Sequence, residues 1–149
     1  MNAFMKRHIR RVVNWWPPFL ASGIRVTRLD SDWRAVDVEL RLHWWNTNYV
    51  GTHYGGSLYS MTDPFYMLML MENLGREYVV WDKSACIRFR RPGKGTVRAQ
   101  FNLSEERLNE IRTALQSQEK IEPTFEVAVV DAEGKVVAEV QKVLSVRRK

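Results

Sequence analysis

Apolar and polar residues alternate with a period of two along several short stretches of this chain. From Ile24 to Leu29, Ile24 and Val26 alternate with Arg25 and Thr27, and Val36, Val38, Leu40 and Leu42 share one face of the stretch from Ala35 to Leu42. Asp30-Ser31-Asp32 lies between them, so the pair predicts a β-hairpin. Tyr78 to Arg91 predicts a long strand whose second half sets Ala85, Ile87 and Phe89 against Cys86, Arg88 and Arg90. Pro92-Gly93-Lys94-Gly95 turns the chain, and Thr96 to Leu103 returns as its partner. A last hairpin joins Thr124 to Asp131 with Val136 to Val146, and Gly134 takes the turn position that needs positive φ.

Three segments follow helical spacing instead. Residues 2–16 predict a short amphipathic helix burying Phe4, Ile9, Val12, Val13 and Trp16, which Pro17-Pro18 ends. Leu58 to Arg76 is apolar nearly all round and predicts a helix buried on most sides, stopped by Gly75. Ser104 followed by Glu105 and Glu106 marks a helix start. That helix runs to about Lys120 and shows a thin apolar stripe at Leu108, Ile111 and Leu115, as on a surface. The order is helix, two strands, buried helix, two strands, surface helix, two strands. It implies an α+β domain with an antiparallel sheet wrapped on the central helix. The sheet edges left open would be covered in a homodimer.

Composition adjusts this picture only slightly. The 149 residues, 45% hydrophobic and 27% charged, suit one domain. The formal charge of +6 admits a nucleic-acid, membrane or anionic small-molecule partner. The basic residues are mostly dispersed, apart from Lys6 to Arg11, Arg88 to Arg91 with Lys94, and Arg147 to Lys149. They lack the interleaved aromatics of a nucleic-acid module, so no nucleic acid is expected. Pro64 to Met71 is too short an apolar run to span a bilayer, and no membrane partner is expected. Val12-Val13 is broken by Asn14 and Pro17-Pro18, so the start does not read as a signal peptide. Cys86 is the sole cysteine, expected as a buried inert thiol; a cytoplasmic location fits. His8, His43 and His53 lack ligand spacing, so no metal site is expected, and no cofactor motif appears.

Candidate chemistry gathers between Asn46 and Pro64. A polar turn runs into Gly55-Gly56, then into the apolar helix, with Asp63 as an isolated acid among Met, Leu, Phe and Tyr. A loop that delivers bare N–H groups to a helix start beside a carboxylate suits acyl chemistry.

That order and motif resemble the hot-dog fold, with about six antiparallel strands curved around a long central helix. The resemblance covers residues 20–147; residues 1–19 form an N-terminal helix and Pro-Pro turn, all within one domain. Among hot-dog proteins the motif resembles the phenylacetyl-CoA thioesterase type. Its signature is an Asn, a His six positions on, two small residues directly after, and an acid eight positions past the first glycine. Asn48, Gly55, Gly56 and Asp63 fall on those positions, and Tyr54 stands at the position of the His. The stretch from Gly51 to Tyr59 with Asp63-Pro64 looks more like an uncharacterised hot-dog branch.

The resemblance implies an acyl-CoA thioesterase. Asp63 would be general base or nucleophile, reaching across a dimer interface, and the Gly55 N–H would polarise the carbonyl with Gly56 beside it. Asn48 would orient water or thioester, or serve as a turn residue. Tyr54 would bond the carbonyl or simply pack. His53 is a substrate-binding candidate, and Arg88, Arg90 and Lys94 are candidates for the phosphates of a coenzyme A substrate. Asp63 has a plainer alternative, a bond to backbone or to an arginine, and Pro64 marks a kink or unusual helix start. The alternative function is a hot-dog protein that binds an acyl or aromatic ligand without turnover. A homodimer is expected, with a homotetramer left open.

Overall fold

A computed structural model describes residue 9 and residues 11–149. Most of the helix expected over 2–16, and most of the Lys6–Arg11 cluster, lie outside the described residues; residues 11–14 are helical. Pro17-Pro18 opens a new helix rather than only ending one. Helix α1 (Pro17–Ser22) has proline at its first positions, where the missing N–H has no helical partner to lose.

Seven strands form one antiparallel sheet: β1 (Ile24–Leu29), β2 (Ala35–Arg41), β3 (Tyr78–Phe89), β4 (Thr96–Asn102), β5 (Lys120–Ile121), β6 (Thr124–Val130) and β7 (Val136–Arg148). Their spatial order is β1-β2-β4-β6-β7-β3, with β5 paired to β7. The strand beyond the expected six is β5, which takes up residues read from sequence as the end of the surface helix. It forms because that helix, here α4 (Glu105–Ser117), stops three residues earlier. Ser104 Oγ accepts from the Arg107 N–H at 3.1 Å, and Leu108, Ile111 and Leu115 are its buried stripe.

The central helix departs from expectation. It is two helices, α2 (Gly55–Ser60) and α3 (Phe65–Leu74), separated by residues 61–64. Pro64 has no N–H to give the Ser60 carbonyl, which instead accepts from Asp63 N at 3.3 Å, while Thr62 N reaches Tyr59 O at 2.8 Å. The turn tightens and the α-helical ladder restarts at Leu68 N to Pro64 O, 2.9 Å.

One face of the sheet carries the core. Val36, Val38 and Leu40 of β2, Val97, Ala99 and Phe101 of β4, and Val140, Leu144 and Val146 of β7 are buried with Phe65, Tyr66, Met69 and Leu70 of α3. Phe101 lies 4.9 Å from the Phe65 ring and 5.2 Å from the Tyr66 ring, and Tyr66 stacks on Phe125 at 4.5 Å.

Strand β3 has a register shift opposite β7 between Asp82 and Ser84. The extra residue exchanges the two faces of the strand. Val80 and Asp82 point inward before it; Ile87 packs inward after it. Cys86 is therefore exposed on the outer face, not buried as its strand-like surroundings suggested. The outermost strands are β1 and β3. Asn14 covers part of the β1 edge, its amide accepting from Val26 N at 2.7 Å and donating to Val26 O at 3.0 Å. Beyond β3 the sheet ends.

Candidate active site

The loop ahead of α2 is held by two asparagines. Asn46 Oδ1 accepts from His43 N at 2.6 Å, and its Nδ2 donates to the carbonyls of Ser22 and Arg41 at 2.8 and 2.7 Å. Asn48 Oδ1 accepts from Val50 N and Thr52 N at 3.1 and 2.9 Å, and its Nδ2 donates to Thr52 Oγ1 at 2.8 Å. Asn48 thus spends its amide on the turn itself, as short polar side chains in loops commonly do.

His53 follows as an almost fully buried residue, 3% exposed. Its backbone N–H donates to Gly93 O at 3.0 Å, and its ring Nε2 lies 3.0 Å from Gly95 O. A carbonyl only accepts, so Nε2 carries the proton and Nδ1 is a bare, buried acceptor without a partner among the described residues. Burial lowers the His53 pKa from its ordinary value of 6.5, against the opposing bond to Gly95. The unfolded chain therefore takes up this proton first as pH falls. Stability from a neutral His53 is complete above about pH 6.5 and is lost as pH falls below it toward the folded-state pKa. Urea unfolding midpoints measured between pH 7.5 and 5.5 should fall with acid, and the slope should flatten in His53→Gln. An equal slope in both proteins contradicts this.

Tyr54 precedes α2, with its side chain 61% exposed. Its ring lies over Gly56, where an added Cβ would come within 2.4 Å of it. An added Cβ on Gly55 would come within 3.0 Å of the Phe89 ring. The two glycines let rings from both sides close on the start of α2. A cavity of about 440 Å³ opens there, lined among others by Asn48, Thr52, His53, Gly55, Leu58, Phe89, Arg90 and Arg91. Arg90 is also paired with Glu139, at 2.6 Å. Arg88 lies on the outer sheet face beside Cys86, Glu126 and Glu139, and Lys94 is exposed in the following turn.

Asp63 does not line that cavity. It sits at the helix break with its side chain 47% exposed. Tyr59, one turn earlier, donates its hydroxyl to Asp63 Oδ1 at 2.8 Å. Lys142 Nζ is 3.1 Å from the same oxygen and also bonds the Asp63 backbone carbonyl. Asp82 Oδ1 lies 2.9 Å from Lys142 Nζ on another side. Burial raises the Asp82 pKa; the Lys142 ammonium opposes the shift, and Asp63 adds to it. Burial, then the bond to Asp63, holds the Tyr59 phenol protonated.

Sequence reasoning missed Lys142, although its position carried a signal. It occupies the inward register of β7 between Val140 and Leu144, where a lysine interrupts an apolar alternation. Among the described residues no group of three or more His, Cys, Asp or Glu is placed to hold a metal. Among them, too, no helix is long and apolar enough to cross a membrane.

Solved structures with this architecture include a probable thioesterase of unknown function from Pseudomonas aeruginosa, PA5026. It is 24% identical over 100% of this chain and 97% of that one, with a TM-score of 0.84. The thioesterase HI1161 of Haemophilus influenzae is 14% identical, covering 99% and 93%, with a TM-score of 0.69. The PaaI protein of the E. coli phenylacetic acid degradation operon is 16% identical, covering 96% and 91%, with a TM-score of 0.65. The antiparallel sheet curved on a central helix is a hot-dog fold, the fold shared with these structures. A family model described as a domain of unknown function, DUF4442, matches residues 6–146, and the chain belongs to that family. No curated protein matches the sequence.

Proposed function

We propose that this protein hydrolyses a thioester of the acyl-CoA type, with Asp63 as general base or nucleophile. The observation that carries the reading is the state of that carboxylate. Both of its side-chain hydrogen bonds, from Tyr59 and Lys142, fall on Oδ1. Among the described residues none falls on Oδ2, and the side chain is half open to solvent. A carboxylate anchored at one oxygen and free at the other is arranged to take a proton from water or to attack a carbonyl.

The N–H of Gly55 would polarise the thioester carbonyl, with the α2 dipole behind it. Asp63 lies eight residues beyond Gly55, past the end of α2, and a helical rise over that stretch would span roughly 12 Å. One thioester carbonyl does not span that distance, so Asp63 of one chain would act with the helix start of a second. The edge of β3, 12 residues long, offers a line along which two copies would pair into a homodimer. Arg90 and Arg91 at the cavity, with Arg88 and Lys94 nearby, would meet the phosphates of coenzyme A. Leu58 and Phe89 would face the acyl group. A cytoplasmic enzyme with free access to acyl-CoA fits this reading.

The test is release of free thiol from a panel of short, medium, aromatic and long acyl-CoAs. Turnover of any member supports the hydrolase. No turnover, with a raised melting temperature in one of these thioesters, moves the protein to ligand binding without hydrolysis, a reading that Tyr54 at the histidine position favours.

A further inference from the structure

Lys142 is 0% exposed in an otherwise apolar register of β7. An ammonium taken out of water without partners would lose its proton or unfold its surroundings. Here it meets three oxygens: the Asp63 carbonyl, Asp63 Oδ1 and Asp82 Oδ1. The first two accept hydrogen bonds from the ammonium, and Asp82 Oδ1 is held as an ion pair at 2.9 Å without hydrogen-bond geometry. The fold supplies each one through an irregularity. Pro64 breaks the helix at Asp63, and the bulge in β3 follows Asp82 directly, before the faces exchange. The Tyr59 ring closes a further side, its centroid 5.7 Å from Nζ.

Among the described residues, the charged groups in contact at this point are one ammonium and two carboxylates, with the Tyr59 phenol beside them. We propose that Lys142 is a positioning residue for Asp63: its buried ammonium, shared with Asp82, fixes the carboxylate at the helix break. The catalytic half of this inference rests on the role proposed above for Asp63; the positional half does not. Lys142 reaches no substrate. It sets the aim of Asp63 by gripping both its backbone carbonyl and Oδ1. Asp82 draws on the same ammonium and adds negative charge nearby, which weakens the hold on Asp63.

Loss of the ammonium should cost the aim of Asp63 and spare the cavity at the start of α2, which Lys142 does not line. Lys142→Met should lower kcat at least about tenfold on the acyl-CoA that the wild-type protein turns over, with KM within about twofold, because the residue touches no substrate. Lys142→Arg keeps a cation at this point and should recover part of the loss. A second measurement needs no turnover: ¹³C NMR spectra of the full chain at fixed neutral pH, with Asp63→Asn identifying the Asp63 carboxyl resonance. In Lys142→Met that resonance should move and broaden as the carboxylate leaves its single position. A lowered kcat at constant KM, or a moved and broadened Asp63 resonance, supports the proposal; an unmoved resonance overturns it, with or without turnover. If Lys142→Met does not fold, Asp82→Asn decides alone: a moved Asp63 resonance supports the proposal and an unmoved one overturns it. Absence of turnover counts against the hydrolase and leaves the NMR result standing.

Discussion

Asp63→Asn should lower thioester turnover by about 10²–10⁴-fold, the usual contribution of a positioned acid–base group. The substitution retains shape. An amide oxygen can still accept from Tyr59, and Lys142 keeps the Asp63 backbone carbonyl and Asp82 as partners. Asp63→Ala removes the anchor at Oδ1 as well and should be at least as inactive. Because the side chain is half exposed, neither change opens a core cavity, and both variants should retain cooperative urea unfolding. Rates are to be measured on whichever acyl-CoA the wild-type protein turns over. Activity within about twofold of wild type in a folded Asp63→Asn protein would remove Asp63 from the chemistry, since loss of a true base cannot be so small.

Phe101→Ala should cost about 3–5 kcal/mol of stability, a large share of the roughly 5–15 kcal/mol that holds a domain of this size together. Phe101 is 1% exposed and pairs with Val36 across β2 and β4. Its ring joins the sheet to α3 through Phe65 and Tyr66. Phe101 belongs to the close-packed apolar core, so truncation leaves a cavity between sheet and helix. Phe65 is two residues beyond Asp63, so the loss falls close to the helix break. Urea denaturation should show a markedly lower midpoint with an unchanged slope. A cost below about 1 kcal/mol would mean that the core collapses around the gap, contrary to close packing at this point.

The bounds of β1 were legible to the residue, and those of β2, β4 and β6 to within one residue, because alternation along a strand is a local property that one buried face imposes. The expected pairing of β3 with β4 is overturned: β3 pairs with β7, and β4 with β2 and β6, since partners across a sheet are not set by adjacency in the chain. The Ser104 start of α4 was legible for a similar reason: a cap and its recipient lie three residues apart. The central helix was harder. Its apolar character runs through residues 61–64, and periodicity alone does not register the carbonyl that Pro64 leaves free. The burial expected of Cys86 went against its own alternation, which sets it with Arg88 and Arg90; what the sequence hid is the bulge after Asp82, by which this face and that of Val80 lie on opposite sides.

The arrangement around Asp63 shows where sequence reading stops. Asp63 stood out as a lone acid in an apolar run, and Lys142 occupied a core register without being recognised. The two are 79 positions apart in the chain, and Asp82 belongs to a third element. The sequence by itself determined the element order, the inward faces of most strands and the hot-dog resemblance, since these depend on neighbours within a few residues. Only the tertiary structure decided that the helix breaks at Asp63, that β3 exchanges faces after Asp82, and that one buried ammonium meets both carboxylates. Electrostatic partnership depends on distance in space, and distance in space is set when the sheet closes over the helix.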